Sequence, residues 1–524
     1  MGLDLSKFNS FTFIHLFHHK WFLISLLILL PMLVDAQNNI PDAMAKSHSD
    51  AYVLGIKTLR EFLTIPNLGS NKEHIKENLA WCQKVFTELD FKIEVLTTKE
   101  VPVLLAEKKS SDKEAKTILF YLQIDGQPFD PSEWNQEDPF VPVLKIPDGE
   151  QWKTIPWENF VPPYLPDARI FGRSTSDSKG NVVAFITALR MMKAAGKTSQ
   201  YNLKVIMDFQ EELGSPTLPQ AVTENKEAFA ADGMIILDGT RHVSNLPTLT
   251  YGARGILSVT LRVFGPTSPM HSGQYGNFVP NPVFALSRLI GGMKDEDGRV
   301  LIPGFYDAVQ LDSQTKAILS SVPDNTEELI TRIGIAKPEK IGESFQESLQ
   351  YPSLNVKGIS AAKIGRLATT IIPEDAIAEF DIRLVPETPA EKMIELFKNY
   401  VLQAGFHLVK DEPSAEERKN YPKLAFLSFR IGSKAYRTDM NSFLGKWVEQ
   451  SMQKTFGNQY VKVRSTGGSQ PISPFITTLN IPALAVNIPN PDNNIHAADE
   501  NLKISNFIEG INICFALLNE EIKN

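Results

Sequence analysis

The chain has 524 residues, of which 43% are hydrophobic and 22% charged, so its composition is typical of a globular protein and excludes a disordered one. Its formal net charge of −8 argues against a nucleic acid as the main partner, because a phosphate backbone calls for a basic surface. Two cysteines exclude a disulfide-rich scaffold and cysteine-based zinc modules, and with nine histidines a metal site must rely on carboxylates.

The first feature along the chain is a strongly apolar segment, Trp21–Val34. It is shorter than the ~20 residues that span a bilayer, and Lys20 precedes it. Small residues at Val34 and Ala36 then predict a signal peptide of residues 1–36, cleaved near Ala36. We expect a secreted or periplasmic protein without a stable membrane span after cleavage, and an uncleaved anchor is the alternative. In an oxidising compartment Cys82 and Cys514 could pair; two buried thiols are the other interpretation.

Short apolar runs typical of buried strands are each followed by an acid or a histidine. These runs are Thr117–Ile124, Leu203–Phe209, Met234–Leu237 and Ala483–Ile488. Helical patterns alternate with them, at Asn71–Leu89, Gly180–Lys193, Met440–Lys454 and Ser505–Leu518. We expect Ser505 to be the N-cap of the last helix. The alternation predicts an α/β fold with a mostly parallel sheet flanked by helices, whose ligand site lies at the carboxyl ends of the strands.

The middle of the chain follows a different pattern. Residues 251–432 contain strand and helix patterns without acid clusters, and Asp307–Gly342 is charged and helical in character. We therefore predict an inserted α+β domain at 251–432. The α/β domain would consist of a first part at 37–250 and a second part at 433–524.

Five candidate metal ligands lie in predicted loops, four of them after the strand-like runs: Asp125, Asp177, Glu212, Asp238 and His496. Converging carboxylates imply a cation, because desolvating an isolated carboxylate is prohibitive. Mixed oxygen and nitrogen ligands favour Zn²⁺, with Mn²⁺ or Co²⁺ as alternatives. Glu211, beside Glu212, offers a free carboxylate as a general base.

The order of six motifs resembles a family of di-zinc metallopeptidases. The motifs are GRSTSDSKG at 172–180, EELGSP at 211–216, MHSGQYG at 270–276, TTIIPEDAIAEFDIRLVP at 369–386, TGGSQPI at 466–472 and NNIHAADE at 493–500. The family includes carnosine-type dipeptidases, aminoacylases, glutamate carboxypeptidases and desuccinylases. YGARG and LIPGFYD bring the chain nearest to the dipeptidase branch, and the resemblance extends from about residue 50 to the C-terminus.

The resemblance implies a role for each predicted ligand. Asp177 would bridge two zinc ions, Glu212 and His496 would complete one of them, and Asp238 would belong to the other. Glu211 would be the general base that deprotonates the metal-held water.

The resemblance also implies that the α/β domain, 37–250 and 433–524, is catalytic and that the inserted domain, 251–432, is a lid and dimerisation domain. It assigns roles to residues of this lid and of the last motifs. His271 would stabilise the oxyanion, and in dipeptidase relatives it reaches into the partner's site, which implies a homodimer through the lid. The family's substrate-binding positions match Thr370, Arg383, Gly468 and Ser469. The forked guanidinium of Arg383 suits a substrate carboxylate.

The match breaks at the family's first motif, H-x-D, where Gln123 replaces the ligating histidine and Asp125 is kept. An amide oxygen is a weaker zinc ligand than an imidazole. Three outcomes follow. A second metal binds through Gln123 and Asp238, or it binds weakly and leaves one zinc, or the protein is an inactive relative.

We therefore expect an exported metallohydrolase, a dipeptidase or carboxypeptidase, that cleaves an amide bond in dipeptides or small peptides with a free C-terminal carboxylate. A deacylase of N-acyl amino acids is the enzyme alternative, because both would use the same catalytic residues. A non-catalytic peptide-binding protein is the other alternative, motivated by Gln123.

Overall fold

The computed structural model describes residues 42–96, 98, 101–159, 165 and 167–522. The predicted signal peptide, residues 1–36, lies outside the described residues. Within the described part, helices are too short or too polar to cross a membrane. The chain divides into two units between Asp50 and Ala51, and the second unit, Ala51–Asn524, contains every sheet described below.

The described strands are numbered in chain order. They are β1 Lys92–Leu96, β2 Val103–Lys108, β3 Thr117–Gln123, β4 Val143–Asp148, β5 Gln151–Ile155, β6 Arg169–Phe171, β7 Asn202–Asp208, β8 Gly233–Ile236, β9 Thr248–Thr250, β10 Gly252–Ala253, β11 Gly255–Phe264, β12 Met270–His271, β13 Ser353–Ser360, β14 Ile371–Ile372, β15 Asp375–Leu384, β16 His407–Val409, β17 Leu424–Ile431, β18 Tyr436–Arg437, β19 Val461–Val463, β20 Ala483–Asn487 and β21 Asn501–Lys503.

The described α-helices are numbered in the same way. They are α1 Asp42–Leu63, α2 Lys72–Glu88, α3 Lys179–Ala194, α4 Leu218–Glu224, α5 Lys226–Phe229, α6 Ser272–Tyr275, α7 Pro282–Gly291, α8 Ser313–Ser320, α9 Thr326–Ile333, α10 Phe345–Ser348, α11 Ala390–Gln403, α12 Ala415–Asn420, α13 Phe443–Phe456, α14 Ser473–Leu479 and α15 Ile504–Asn519.

The largest sheet has eight strands among the described residues, in the order β1-β2-β7-β3-β8-β20-β9-β19. Its four central strands, β7, β3, β8 and β20, are mutually parallel. The flanking β2 and β9 are antiparallel to their central neighbours. The carboxyl ends of the central strands therefore meet at one edge, as the four apolar runs predicted.

Strand β3 shows why these runs are continuously apolar. Its residues Ile118, Phe120 and Leu122 pack in a core with α2, α3, α13 and α15. The alternate residues Leu119 and Tyr121 pack in a second core on the opposite face, with α4 and α14. Because helices cover both faces of the sheet, both sets of side chains are buried.

A second sheet is built from residues of the predicted lid. It has five strands in the described part, in the order β13-β15-β11-β17-β16. In β11 and β15 buried residues alternate with half-buried ones, because one face packs against α7 and α11. The sheet extends from Gly255 to Ile431, inside the range 251–432, and the domain boundaries themselves stay predictions.

Two smaller sheets and one connection also position the site. Strands β21, β6, β4 and β5 form a sheet in that order, and β10 pairs with β18. The prediction that Ser505 caps the last helix is wrong. Helix α15 begins at Ile504, directly after β21, and its first N–H donates to Ala168 O at 3.0 Å in place of a side-chain cap.

The two cysteines are free and fully buried in the structure. Both belong to the core that contains α3 and α15. Burial raises the pKa of the Cys82 thiol to about 12 and also raises that of Cys514. These features agree with the interpretation of two buried thiols.

Candidate active site

Three predicted ligands converge at the carboxyl edge of the central strands. Ligand atoms of Asp177, Glu212 and His496 all lie within 4.8 Å of one another. Nε2 of His496 is 3.0 Å from Asp177 Oδ2 and 3.3 Å from Glu212 Oε2. Asp177 lies just before α3, Glu212 follows β7, and His496 follows β20. The parallel order of β7 and β20 thus brings Glu212 and His496 to one edge, and the loop between β6 and α3 adds Asp177.

A cavity of about 300 Å³ opens onto this cluster. Its walls include seven of the predicted site residues: Gln123, Asp177, Glu211, Asp238, Gly468, Ser469 and His496. Other polar wall residues are neutral: Thr240, Thr250, Thr466, Gln470 and Asn487. The acids of the wall therefore all belong to the predicted catalytic and metal-binding set.

Asp125 interacts with the glutamate pair through the backbone. Its carboxylate accepts the N–H of Glu211 at 3.0 Å and the N–H of Glu212 at 3.1 Å. Burial raises the pKa of Asp125 well above its usual range, and the charges of Asp208 and Glu212 add to this effect. Asp125 lies outside the group of three ligands, so its observed contacts orient Glu211 and Glu212.

Gln123 points its amide at the predicted bridging carboxylate. Its Nε2 donates to Asp177 Oδ1 at 2.5 Å, and its Oε1 is buried without a hydrogen-bond partner among the described residues. Gln123 follows Leu119 and Tyr121 on one face of β3, which is why it reaches this edge. The structure therefore brings the substituted residue into the cluster.

The electrostatics of the cluster fit a bound cation. Burial raises the pKa of Asp177 to about 6 and that of Asp238 to about 7, and neighbouring carboxylates add to both shifts. Burial also raises the pKa of Glu211 well above its usual range. Hydrogen bonds with Asp177 and Glu212 raise the pKa of His496 to about 10. Acids that are crowded together and withdrawn from water in this way are stabilised by a positive charge.

Two buried side-chain oxygens that lack hydrogen-bond partners among the described residues also favour a bound cation. Glu212 Oε1 and Gln123 Oε1 are both buried without a hydrogen-bond partner in the described structure. Oxygen and imidazole donors suit a divalent first-row ion. Asp177, Glu212 and His496 would hold one ion, and Asp238 with Asp177 and Gln123 Oε1 would hold a second.

Sequence reasoning missed two residues that support this cluster. Glu500 is fully buried and accepts backbone N–H groups from Ser174, Ser176 and Asp177, each at 2.9 Å. Gln127 Nε2 donates to Glu212 Oε2 at 2.7 Å. Glu500 is the last residue of the motif that contains His496, so a role for this acid near the site could have been predicted from the sequence. No feature of the sequence indicated a role for Gln127.

The predicted lid residues divide into two groups. Arg383 Nη1 donates to Ser469 Oγ at 3.0 Å, which joins the lid to the cavity wall. His271 ends β12, and Thr370 directly precedes its partner strand β14; next to this pair Ser272 N donates to Thr370 O at 2.9 Å. Both are exposed, and neither lines the cavity of their own chain.

The sequence of this chain is similar to those of known peptidases. The model of peptidase family M20/M25/M40 matches residues 143–520. The Cys-Gly metallodipeptidase dug1 of Schizosaccharomyces pombe is 28% identical over 426 residues, covering 80% of this chain and 83% of that protein. The Beta-Ala-His dipeptidase of Mus musculus is 27% identical over 423 residues, which cover 78% of this chain and 77% of that protein.

Solved structures share the fold. The metallo-carboxypeptidase Sso-CP2 of Sulfolobus solfataricus superposes with a TM-score of 0.72 at 28% identity, covering 88% of this chain and 98% of that one. Human carnosine dipeptidase 1 superposes with a TM-score of 0.68 at 22% identity, and the match covers 90% of this chain and 98% of that one. At that identity the second likeness shows the fold alone. The predicted fold class is confirmed by these matches.

Proposed function

The chain belongs to peptidase family M20/M25/M40, and from this we propose that it is a metal-dependent dipeptidase acting on small peptides with a free C-terminal carboxylate. The resemblance read from the six motifs is thereby confirmed at the level of the family, and the chain is a peptidase. The family is metal-dependent, and the identity and number of the ions belong to the proposal.

One observation supports the proposal most. Asp177, Glu212 and His496 present three ligand atoms within 4.8 Å of one another, beside a cavity that Glu211 also lines. A ligand set with an adjacent free carboxylate is the arrangement that metal-assisted amide hydrolysis requires.

We propose Zn²⁺ as the ion, with two sites per chain and the second weakened by Gln123, and Mn²⁺ or Co²⁺ as alternatives. A bound divalent ion polarises the scissile carbonyl and lowers the pKa of its water.

The chain's own residues account for substrate position and proton transfer. Glu211 takes the proton of the attacking water and delivers it to the leaving amine. Arg383 lies within reach of Ser469 and binds the substrate carboxylate with both arms of its guanidinium. Gly468 completes this subsite. Thr370, exposed beside His271, would reach it from a partner subunit. His271, exposed at the end of β12, stabilises the oxyanion in the site of a partner subunit, which makes the active form a homodimer.

The test separates the two adjacent glutamates. Glu211→Gln should keep bound zinc and lower kcat for a dipeptide such as Ala-Leu by ~10²-fold or more, because the general base is lost. Glu212→Gln, the matched variant next to it, should lower zinc affinity. Zinc content by mass spectrometry and leucine release by chromatography distinguish the two effects. Full activity of Glu211→Gln would contradict the proposed mechanism.

Export is part of the proposal. The apolar segment Trp21–Val34 and the small residues at Val34 and Ala36 support a cleaved signal peptide and a secreted or periplasmic enzyme. N-terminal sequencing of the protein made in its native host checks this. A mature chain beginning at Gln37 would support export with cleavage, and a chain that keeps residues 1–36 in the membrane fraction would support an anchor.

A second candidate function is the deacylation of N-acyl amino acids. The neutral polar residues of the cavity wall favour it, because they offer no carboxylate for a substrate ammonium group. Cleavage of N-acetyl-Leu in preference to Ala-Leu would identify this activity. The non-catalytic alternative, motivated by Gln123, predicts a metal-free protein that binds peptides without cleaving them.

A further inference from the structure

A second, larger cavity of about 450 Å³ lies beside the candidate active site. One wall is the loop that follows Asp238, residues 240–244. The opposite wall comes from the helical stretch at 323–349, which includes α9 and α10. A volume of this size is in the range of small-ligand sites.

Side-chain contacts fix the two walls relative to each other. His242 Nε2 lies 2.8 Å from Asp324 Oδ1. Gln346 Nε2 donates to Asp324 Oδ2 at 2.8 Å. Both oxygens of Asp324 are therefore engaged, one with the opposite wall and one within its own wall, and the side chain of His242 is only 6% exposed.

The two cavities adjoin at three threonines, Thr240, Thr250 and Thr466, which line both of them. These side chains are short, and Thr250 is held by its hydrogen bond to Asn487 Oδ1 at 2.8 Å. An extended ligand bound in the active site can therefore continue over the threonines into the larger cavity.

Charge distinguishes the two cavities. The acids of the active-site cavity belong to the metal-binding and catalytic set, so none remains to bind the ammonium group of a peptide. The larger cavity is lined by Glu328 on α9, an exposed carboxylate that has no ion-pair partner in the part of the chain that the structure describes. Arg332, one turn further along α9, also lines this cavity and offers donors to peptide carbonyl groups.

From this juxtaposition we propose that the larger cavity binds the N-terminal part of peptides longer than a dipeptide, with Glu328 pairing with their terminal ammonium group. The inference rests on the proposed peptide hydrolysis and specifies its substrate class. The enzyme then removes the C-terminal residue from tripeptides and longer peptides more efficiently than it cleaves dipeptides.

The experiment compares leucine release from Ala-Leu, Gly-Ala-Leu and N-acetyl-Gly-Ala-Leu. Release of leucine with Gly-Ala identifies cleavage at the C-terminal bond. Glu328→Gln should lower kcat/KM for Gly-Ala-Leu about fivefold, as expected for the loss of an exposed ion pair. The values for the acetylated peptide and for Ala-Leu should stay unchanged. The matched control is Glu327→Gln, which removes a neighbouring charge that does not line the cavity.

A second variant tests the space independently of charge. Val243 is an exposed loop residue that lines the larger cavity, so Val243→Trp fills it without disturbing a core. It should lower kcat/KM about tenfold for both tripeptides and leave Ala-Leu unchanged.

The outcomes separate this inference from the proposed function. Equal effects of Glu328→Gln on the free and acetylated tripeptides, or cleavage of Ala-Leu alone, would overturn the inference and leave the peptidase activity intact. If no peptide is cleaved, the proposed function fails, and calorimetry still decides the inference. In the Glu211→Gln background, Gly-Ala-Leu should bind more weakly when Glu328→Gln is added, and unchanged affinity would contradict the role of Glu328.

Discussion

The backbone N–H of Asp177 donates to Oε1 of Glu500 at 2.9 Å, in the fully buried interior of the protein. The same carboxylate accepts N–H groups from Ser174 and Ser176 and pairs with Arg173 Nη1 at 2.8 Å. The loop that presents the predicted bridging ligand is therefore organised around one buried acid from the end of the chain. Glu500 is a positioning residue for Asp177.

Replacing this acid should affect both stability and metal binding. Glu500→Gln leaves Arg173 buried without a counter-charge, so we expect the free energy of unfolding to fall by about 3–5 kcal/mol. Because the NH2 group of glutamine cannot accept N–H groups, the loop that carries Asp177 loses part of its support, and zinc affinity should fall by about 10–100-fold. Urea unfolding and competitive zinc titration measure the two effects.

The control for this prediction is Asp499→Asn. Asp499 is the preceding residue, and its carboxylate binds Asn135 outside the ligand cluster. The zinc affinity of Asp499→Asn should equal that of the wild-type protein. A Glu500→Gln protein that folds and keeps wild-type zinc affinity would show that Glu500 does not position Asp177.

Gln123→His should strengthen the second metal position. The change removes the amide that donates to Asp177 and supplies an imidazole, a better zinc ligand. We expect the affinity for the second equivalent of zinc to rise about tenfold or more, measured as bound metal per chain in zinc-buffered solutions. Gln470→His, in the same cavity wall, is the control for an added imidazole. An equal rise in zinc affinity in Gln123→His and Gln470→His would contradict this prediction.

Removing divalent ions should destabilise the protein, because the buried Asp177 and the half-buried Glu211 and Asp238 are then left as mutually repelling acids. At an ion concentration a thousandfold above Kd, binding stabilises the fold by about 4 kcal/mol. Calorimetry with and without a chelator, followed by re-addition of zinc, measures the shift in Tm. The shift should shrink in His496→Ala, which lacks one ligand. An unchanged Tm in the wild-type protein would argue against a bound ion.

The position of His271, exposed and outside the cavity of its own chain, allows a complementation test. His271→Ala and Glu211→Gln should each be inactive as homodimers. Each heterodimer has one site with an intact Glu211 and an intact His271 of the partner. Unfolding and refolding an equimolar mixture should therefore restore about a quarter of wild-type activity. If heterodimers form but activity does not recover, His271 does not act across the interface.

Strand and helix positions were largely predictable because burial leaves a local pattern. The run predicted at Thr117–Ile124 became β3, Thr117–Gln123, since helices pack on both faces of the sheet. The last helix was placed within one residue at each end, yet its N-cap was wrong. Tertiary contact with Ala168 replaced the side-chain cap that the sequence pattern indicated.

The sequence by itself determined the chemistry at the ends of the central strands. Carboxylates and one late histidine follow the strand-like runs, and parallel strands bring their ends to one edge whatever the details of packing. Only the tertiary structure decided what each side chain does there: Asp125 accepts backbone N–H groups, Gln123 donates to Asp177, Glu500 supports the ligand loop, and His271 lies away from its own cavity. The physical reason is that periodicity reflects local backbone geometry and burial. The partner of a polar group depends on residues far along the chain that folding brings within hydrogen-bond distance.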